Sequence, residues 1–345
     1  MPETQDRKLD HIRICLEKNV ETSGTWLEDV ILLHKALPEM NFDEIDTTTS
    51  FFGKKLNLPL MISSMTGGTE EAKEINKTLA GVAEKKGIAF GLGSQRAMIE
   101  DASKKETYYV RNVAPSVLLF GNIGISQVKQ YKTEQIENAL KSIGADLLSV
   151  HINAAQEIFQ LDLEGDFDFS NSLISLSKLC KELKFPVIAK EVGNGISKEC
   201  AMSLKDAGVK GIDVGGCGGT NWVVIEGMRS GKDTTNFRNW GISTACSILE
   251  AKPSGLPLIA TGGIRSGSDI AKSIVLGASI CGIALPFLKI LKREGEKGVE
   301  NYIDKLEKEL KMTMFLTGSR IIEELKNAKY VLIGRVKDWV EQRNL

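Results

Sequence analysis

Residues 147–157 read L-L-S-V-H-I-N-A-A-Q-E, and the change of character within this segment indicates the fold. It begins as an apolar, partly β-branched run, which is the pattern of a strand buried on both faces of a parallel sheet. It then brings His151, Asn153, Gln156 and Glu157 within seven positions. Because parallel α/β folds carry their chemistry just beyond the C-terminal ends of the strands, we predict a functional site there.

A histidine or a glutamate at a strand end is often purely structural, and that alternative stays open for each of these residues taken alone. The chain contains three histidines, His11, His34 and His151, which excludes a polyhistidine metal site. The density of hydrogen-bonding side chains after one buried strand is what indicates function.

On both sides of this segment a unit recurs that consists of a short apolar run, a polar or glycine-rich loop and an amphipathic helix. The predicted strands start at Leu58 and then at residues 88, 117, 147, 186, 211, 256 and 278. The predicted helices cover 70–86, a region near 104–112, 133–143, a region near 170–183, 197–207, 243–251, 269–276 and 300–316. Eight such units over about 250 residues predict a single closed (β/α)8 TIM barrel rather than an open doubly wound sheet.

We divide the chain into an N-terminal extension, residues 1–57, that packs on or near the active site, and a barrel catalytic domain, residues 58–345. The extension is predicted to contain a charged helix at 6–19 and a partly extended segment at 47–52. Residues 221–239, between the sixth strand and its helix, are predicted to be irregular. Their length fits a lid or binding loop, and it also fits a tolerated surface insertion.

The composition excludes several classes of protein. The 345 residues are 42% hydrophobic and 26% charged with a net charge of −1, so there is no electrostatic case for binding nucleic acid. The first residues lack the apolar core of a signal peptide, and the uncharged stretches are too short to span a membrane, so we expect a cytoplasmic protein. Six cysteines without a C-x-x-C pair indicate neither a zinc site nor a disulfide framework.

The loops after the last strands have the composition of a phosphate site. They contain Gly215–Gly219 with Thr220, then Gly262–Gly263 with Arg265, and then residues 281–285. In barrels the loops after strands seven and eight often bind phosphate through backbone N–H groups at a helix start. No strand is followed by G-x-G-x-x-G, and Gly231–Lys232 lacks the remainder of a P-loop, so a mononucleotide is the better prediction.

Lys190 closes the fifth predicted strand inside the barrel mouth, where an ammonium group must be paired or catalytic. It could form a Schiff base or hold negative charge on a cofactor ring. Asn122 and Ser94 follow other strands and are suited to hydrogen-bonding a heterocycle, and the S-S-M-T-G-G turn offers Thr66.

Glu157 is the only carboxylate among residues 153–157, which suits a Mg²⁺ ion whose remaining ligands are substrate phosphates and water. Free cations that could meet such a phosphate are Arg7, Lys8, His11 and Arg96. A solvated helix face is an equally simple explanation for the R-K-L-D-H segment.

Taken together, these motifs resemble type 2 isopentenyl-diphosphate isomerase, the flavin-dependent family, over essentially the whole chain. The likeness rests on R-K-L-D-H (7–11), S-S-M-T-G-G (63–68), G-L-G-S-Q-R (91–96), G-N-I-G (121–124), H-I-N-A-A-Q-E (151–157), K-E-V-G (190–193), G-G-T-N-W (218–222) and G-G-I-R (262–265). Each motif alone is weak, but the combination in one order is specific. One departure is Gly215, where the family often has serine.

The resemblance implies that FMN lies across the barrel mouth, contacted by Ser64, Met65, Thr66, Ser94, Asn122, Lys190 and Thr220, with Gly262, Gly263, Arg265, Ala284 and Leu285 around its phosphate. It implies that isopentenyl diphosphate or dimethylallyl diphosphate is held by Arg7, Lys8, His11, Ser94, Gln95, Arg96, His151, Asn153 and Gln156, with Mg²⁺ on Glu157. Lys190, His151 and Gln156 would be catalytic. The resemblance also implies NADPH as the flavin reductant and a homo-oligomer, either a tetramer or an octamer.

The implied reaction moves a double bond by 1,3-allylic proton transfer, mediated by reduced FMN. Two alternatives remain open. An FMN-dependent oxidase or dehydrogenase of a 2-hydroxy acid would need a histidine base and an arginine clamp, and no second histidine lies near strands seven or eight. A phosphate-ligand sensor on a barrel scaffold would bind its ligand without turnover.

Overall fold

The computed structural model describes residues 4–22, 24–161 and 165–345, with the backbone alone for residues 4–6. Within them the strands are β1 (Val30–Leu32), β2 (Thr49–Phe51), β3 (Lys54–Leu56), β4 (Leu60–Ile62), β5 (Ala89–Gly91), β6 (Leu119–Gly124), β7 (Leu147–His151), β8 (Val187–Lys190), β9 (Gly211–Asp213), β10 (Leu258–Thr261), β11 (Ile280–Ile283) and β12 (Tyr330–Leu332). The helices are α1 (Thr4–Glu17), α2 (Glu70–Lys86), α3 (Arg96–Glu100), α4 (Ile125–Gln130), α5 (Thr133–Ile143), α6 (Ala154–Phe159), α7 (Ser172–Glu182), α8 (Lys198–Asp206), α9 (Trp222–Ser230), α10 (Thr244–Ala251), α11 (Gly267–Leu276), α12 (Leu285–Thr317), α13 (Ile322–Leu325) and α14 (Gly334–Arg343).

Strands β4 to β11 form a closed parallel barrel in chain order, and β11 pairs with β4 to complete it. The prediction of a (β/α)8 barrel is therefore confirmed. The register matters for the site, because it places His151 beside Lys190 and Lys190 beside Asp213 at the C-terminal ends of three neighbouring strands.

A hairpin of β2 and β3 contributes to the packed interior of the barrel. Its Phe51 is buried and stacks on Phe120 of β6, with ring centroids 6.4 Å apart. Phe51 and Leu56 join a cluster of inward-facing barrel residues: Met61, Ala89, Leu118, Phe120, Leu147, Ile188, Ile259 and Ile280. A barrel interior filled by side chains is a core rather than a pore, so the loops at the C-terminal ends of the strands carry the accessible space.

The N-terminal segment is bound to the barrel at several points. Strand β1 pairs antiparallel with β12 near the C-terminus, with Ile31 opposite Val331. Two backbone bonds join this segment to the loop after β9, where Thr22 N donates to Gly219 O and Asn221 N donates to Val20 O. No helix among the described residues is long and apolar enough to cross a membrane.

Two predicted elements were wrong. No α-helix occupies residues 104–112, because a 3-10 helix, Ala102–Thr107, precedes a turn in which the Arg111 guanidinium bonds the carbonyl oxygens of Gly144 and Val117. Residues 221–239 are not irregular throughout, because they contain α9. The Asn221 side chain caps this helix by accepting a bond from Val224 N, and Gly231 ends it with a φ of 73°.

Candidate active site

A cavity of about 650 Å³ is lined by residues that follow each of the eight barrel strands and by residues of α1. Its lining includes the predicted site residues Arg7, Lys8, His11, Ser64, Met65, Thr66, Ser94, Arg96, Asn122, His151, Asn153, Gln156, Glu157, Lys190, Thr220, Gly262, Gly263, Arg265, Ala284 and Leu285. Side chains from nearly the whole length of the chain thus share one space. Most of these residues follow the C-terminal ends of the barrel strands, and they therefore lie on the same face of the barrel.

Gln95 was predicted as a substrate ligand, but the structure places it behind the cavity wall. Its side chain is 2% exposed, donates to Gly93 O and accepts a bond from Asn122 N. Both ends of the amide therefore bond the backbone, so Gln95 holds Asn122 in place instead of facing a ligand.

His151 lies at the end of β7, and its Nδ1 is 2.9 Å from Asn122 Oδ1. Burial, together with the positive charges of Lys190, Arg7 and Lys8, lowers the pKa of His151 to about 3. The imidazole is therefore neutral near pH 7. With Nδ1–H donating to the Asn122 oxygen, Nε2 is left as a hydrogen-bond acceptor.

Lys190 is a paired ammonium group. Its Nζ donates to Asp213 Oδ2 at 2.8 Å and to Glu191 O at 3.1 Å. Asp213 was not singled out from the sequence, although its position on the neighbouring strand follows from the barrel register. A lysine paired with a carboxylate suits electrostatic stabilisation of an anion better than Schiff-base formation, in which its nitrogen would have to leave this pair.

A second unpredicted carboxylate, Glu226, joins α1, α6 and α9 beside the cavity. It is 0% exposed, accepts a bond from Gln156 Nε2 at 2.9 Å, and lies 2.9 Å from His11 Nε2. Burial opposes its ionisation, but the close approach of His11, the hydrogen bond from Gln156 and the charge of Arg229 outweigh burial and lower the pKa of Glu226 to about 2. Its one signal in the sequence is a single charge within the apolar run W-V-V-I-E-G-M.

Glu157 is held by two donors. Asn153 Nδ2 bonds Oε1 at 2.7 Å, and Asp166 N bonds Oε2 at 3.0 Å. Burial raises the pKa of Glu157, although these two bonds and the charge of Arg7 act against it. Within the described parts of the chain no cluster of three or more His, Cys, Asp or Glu side chains is placed to hold a metal ion. One carboxylate fits Mg²⁺ only if a bound phosphate group and water supply the other ligands.

The expectation of free cations was wrong, because each of the four groups has a partner. Arg7 Nη1 donates to Gln160 Oε1 at 2.9 Å, and Arg96 Nε donates to Glu100 Oε1 at 2.7 Å. Lys8 Nζ donates to Tyr108 OH at 2.8 Å and to Ser94 O at 3.2 Å, while His11 faces Glu226. The sequence could not show these partners, because they belong to distant segments.

The predicted phosphate end of the cavity differs in detail from the expectation. Three amides at the start of α11 are already bonded, since Arg265 N and Ser266 N, just before the helix, donate to Asp269 Oδ2 and Gly267 N donates to Glu309 Oε2. These three amides are thus not open to an anion. Arg265 itself forms an ion pair with Glu21 of the N-terminal segment.

Two buried hydroxyl groups in the cavity wall fit a bound cofactor. Ser63 Oγ and Thr66 Oγ1 are buried and have no hydrogen-bond partner among the residues that the structure describes. Because a buried polar atom without a partner is costly, a ligand that hydrogen-bonds both hydroxyls would remove this cost. The carbonyl and ring-nitrogen groups of a flavin would serve this purpose.

The comparisons with known proteins agree with this geometry. Residues 153–332, just over half of the chain, match the family described as FMN-dependent dehydrogenase. The isopentenyl-diphosphate delta-isomerase of Archaeoglobus fulgidus is 47% identical over 99% of both chains, and that of Halobacterium salinarum is 45% identical over 99% of this chain and 97% of its own. A lactate oxidase structure from Pediococcus acidilactici shares the fold, with a TM-score of 0.69 at 19% identity over 94% of this chain and 91% of that one. The chain therefore belongs to the isopentenyl-diphosphate delta-isomerase family of enzymes, and its barrel to the FMN-dependent dehydrogenase family.

Proposed function

We propose that this enzyme interconverts isopentenyl diphosphate and dimethylallyl diphosphate, using reduced FMN and Mg²⁺. The observation that carries the proposal is that one cavity is lined by two kinds of groups. The buried hydroxyls of Ser63 and Thr66 line it with Lys190, and so do the cations of α1 with Glu157. The names of the relatives support this choice of substrates.

The FMN ring would bond Ser63 and Thr66, and also face Ser64, Met65, Ser94, Asn122, Lys190 and Thr220. Its phosphate would lie near Gly262, Gly263, Ala284 and Leu285, with Arg265 as the cation. When bound and reduced, FMN supplies the proton transfer to and from the allylic carbons. The protein then has to bind and orient the cofactor and the substrate, and to exclude water.

The diphosphate would be held by Arg7 and Lys8 of α1, with Mg²⁺ between it and Glu157. Arg96 could join them by sharing its bond to Glu100. Charge-assisted hydrogen bonds of this type are about twice as strong as neutral ones. The carboxylate of Glu157 stays fixed by Asn153 and Asp166, so the metal would meet an oriented ligand.

Neutral and fixed groups surround the reacting part of the substrate. Glu226 orients the amide of Gln156, and Asn122 orients the neutral ring of His151. Neither His151 nor Glu226 is a strong acid near pH 7, because the imidazole is uncharged and the carboxylate has no proton to donate. The chain thus supplies no acid able to protonate an alkene at these positions, which supports assigning that step to the cofactor.

NADPH as the reductant, a tetramer or octamer, and a cytoplasmic location are further parts of the proposal that rest on the resemblance. The N-terminal extension would serve as the wall that completes the site, since α1 contributes Arg7, Lys8 and His11 to the cavity lining.

The test is the number of products formed per electron pair consumed. We expect FMN-loaded protein to be inactive while oxidised. After anaerobic reduction with dithionite it should convert isopentenyl diphosphate over many turnovers with no NADPH present. Product and oxidised NADPH would be counted together in a parallel anaerobic assay. A ratio near one, or turnover in the oxidised state with release of hydrogen peroxide, would instead establish an oxidoreductase.

A further inference from the structure

The ion pair between Lys190 and Asp213 joins the ends of two neighbouring strands of the barrel. Residues 190 and 213 are directly opposite in the parallel register of β8 and β9, so the short distance between their side chains follows from the fold. The lysine side chain is 12% exposed and that of the aspartate is 2% exposed. Only the lysine lines the cavity.

The lysine has one hydrogen-bond donor left for a ligand. An ammonium group has three N–H donors, and Lys190 uses one on Asp213 Oδ2 and one on the carbonyl oxygen of Glu191. Two bonds in fixed directions determine where the nitrogen lies. The third donor is available to a group bound in the cavity.

Both carboxylate oxygens of the aspartate accept hydrogen bonds. Oδ2 accepts from Lys190, and Oδ1 accepts from the Thr261 hydroxyl and from Gly215 N at 3.3 Å. Thr261 in turn accepts a bond from Gly215 N at 3.2 Å. Asp213 does not line the cavity itself, but its partners Lys190, Thr261 and Gly215 do.

We propose that Asp213 is a positioning residue that holds the Lys190 ammonium against the cofactor ring and offsets part of its charge. The inference rests on the FMN site of the proposed function. An unopposed ammonium would strongly favour the anionic, reduced ring, whereas an ion pair favours it less. Asp213 thereby sets the reduction potential of the bound cofactor at a lower value than Lys190 alone would give.

The first experiment compares midpoint potentials of bound FMN at pH 6 against reference dyes. We expect Asp213→Asn to raise the potential, with at least a tenfold change in the reduction equilibrium, which is about 30 mV for a two-electron couple. The same substitution in a Lys190→Met background should have little effect. The two substitutions together remove both charges of the pair, which folded proteins tolerate better than the loss of one.

A second variant keeps both charges and guards against misfolding of the first. Thr261→Val removes the hydroxyl that donates to Asp213 Oδ1, so the carboxylate would offset Lys190 more fully. We expect a smaller shift in the opposite direction, to a lower potential, and again no shift in the Lys190→Met background. Valine has nearly the shape of threonine and suits a strand.

Equal shifts with and without Lys190, or no shift in either variant, would overturn the role of Asp213. These results differ from a failure of the proposed function. Protein that binds no FMN would refute the proposed cofactor, and protein that binds FMN without isomerising would refute the reaction. In the latter case the comparison of potentials would still decide the role of Asp213.

Discussion

Lys8 makes substrate affinity depend on pH in a direction that the structure defines. Burial, with a smaller contribution from the charge of Arg7, lowers the pKa of Lys8 from 10.5 to about 7. Its Nζ bonds Tyr108 OH and Ser94 O and lies 5.3 Å from the centroid of the Tyr108 ring. The amine is therefore charged below pH 7 and increasingly neutral above it, and only the charged form attracts a diphosphate.

The expected size follows from the titration. Above its pKa the charged fraction of Lys8 falls about tenfold for each pH unit, which costs about 1.4 kcal/mol of binding per unit. A bound diphosphate would raise the pKa of Lys8 again. The affinity therefore continues to decline with rising pH until the pH reaches the pKa of Lys8 in the complex. Between pH 7.5 and 9 we expect the dissociation constant of isopentenyl diphosphate to rise by about twenty-five-fold.

The assay is calorimetric titration of oxidised, FMN-loaded protein with isopentenyl diphosphate and Mg²⁺, which measures binding without turnover. Lys8→Arg is the matched control, because a guanidinium keeps its charge over the whole range. Its dissociation constant should change little between pH 7.5 and 9. Ionisation of the ligand itself affects both proteins equally. If the dissociation constant rose equally with pH in the two proteins, or did not rise in the unmodified one, Lys8 would not be the group that titrates.

Two further predictions concern the metal and the phosphate. Glu157→Gln should abolish Mg²⁺-dependent turnover, because Glu157 would be the one protein carboxylate on the metal. Flavin absorbance should show that FMN stays bound. Unchanged activity with the same Mg²⁺ dependence would contradict this assignment. Arg265→Met should weaken FMN binding to the apoprotein by about ten- to a hundredfold and leave riboflavin binding unchanged, as expected for one charged hydrogen bond to phosphate. Glu21→Gln, which removes the present partner of Arg265, should tighten FMN binding a few-fold and not affect riboflavin. Fluorescence titration with both flavins measures each case, and parallel changes for riboflavin would argue against a phosphate contact.

The barrel could be predicted because its signals are local. Each strand is a short apolar run followed by a polar loop, and alternation with helices leaves few topologies open. One failure arose where a contact with a distant residue decides the local structure. The region near 104–112 has enough polar and charged residues for a helix, but its end is governed by Arg111, which turns to bond carbonyl oxygens of residues 117 and 144.

Residues at the ends of strands could be assigned to one face of the barrel from their positions in the sequence. His151, Asn153, Gln156, Glu157 and Lys190 were expected to meet, and all of them line the cavity. Gln95 was misplaced because the sequence places it after a strand but does not show which side its amide faces. Its bonds to Gly93 O and Asn122 N direct it into the wall.

By itself the sequence determined the fold class and the set of polar side chains at the barrel mouth, because both depend on periodicity along the chain. Only the tertiary structure decided which side chains are partners. Lys190 meets Asp213 across 23 positions, Gln156 meets Glu226 across 70, and Arg265 meets Glu21 across 244. Electrostatic interactions depend on distance in space and on burial, and neither quantity can be read from the order of residues.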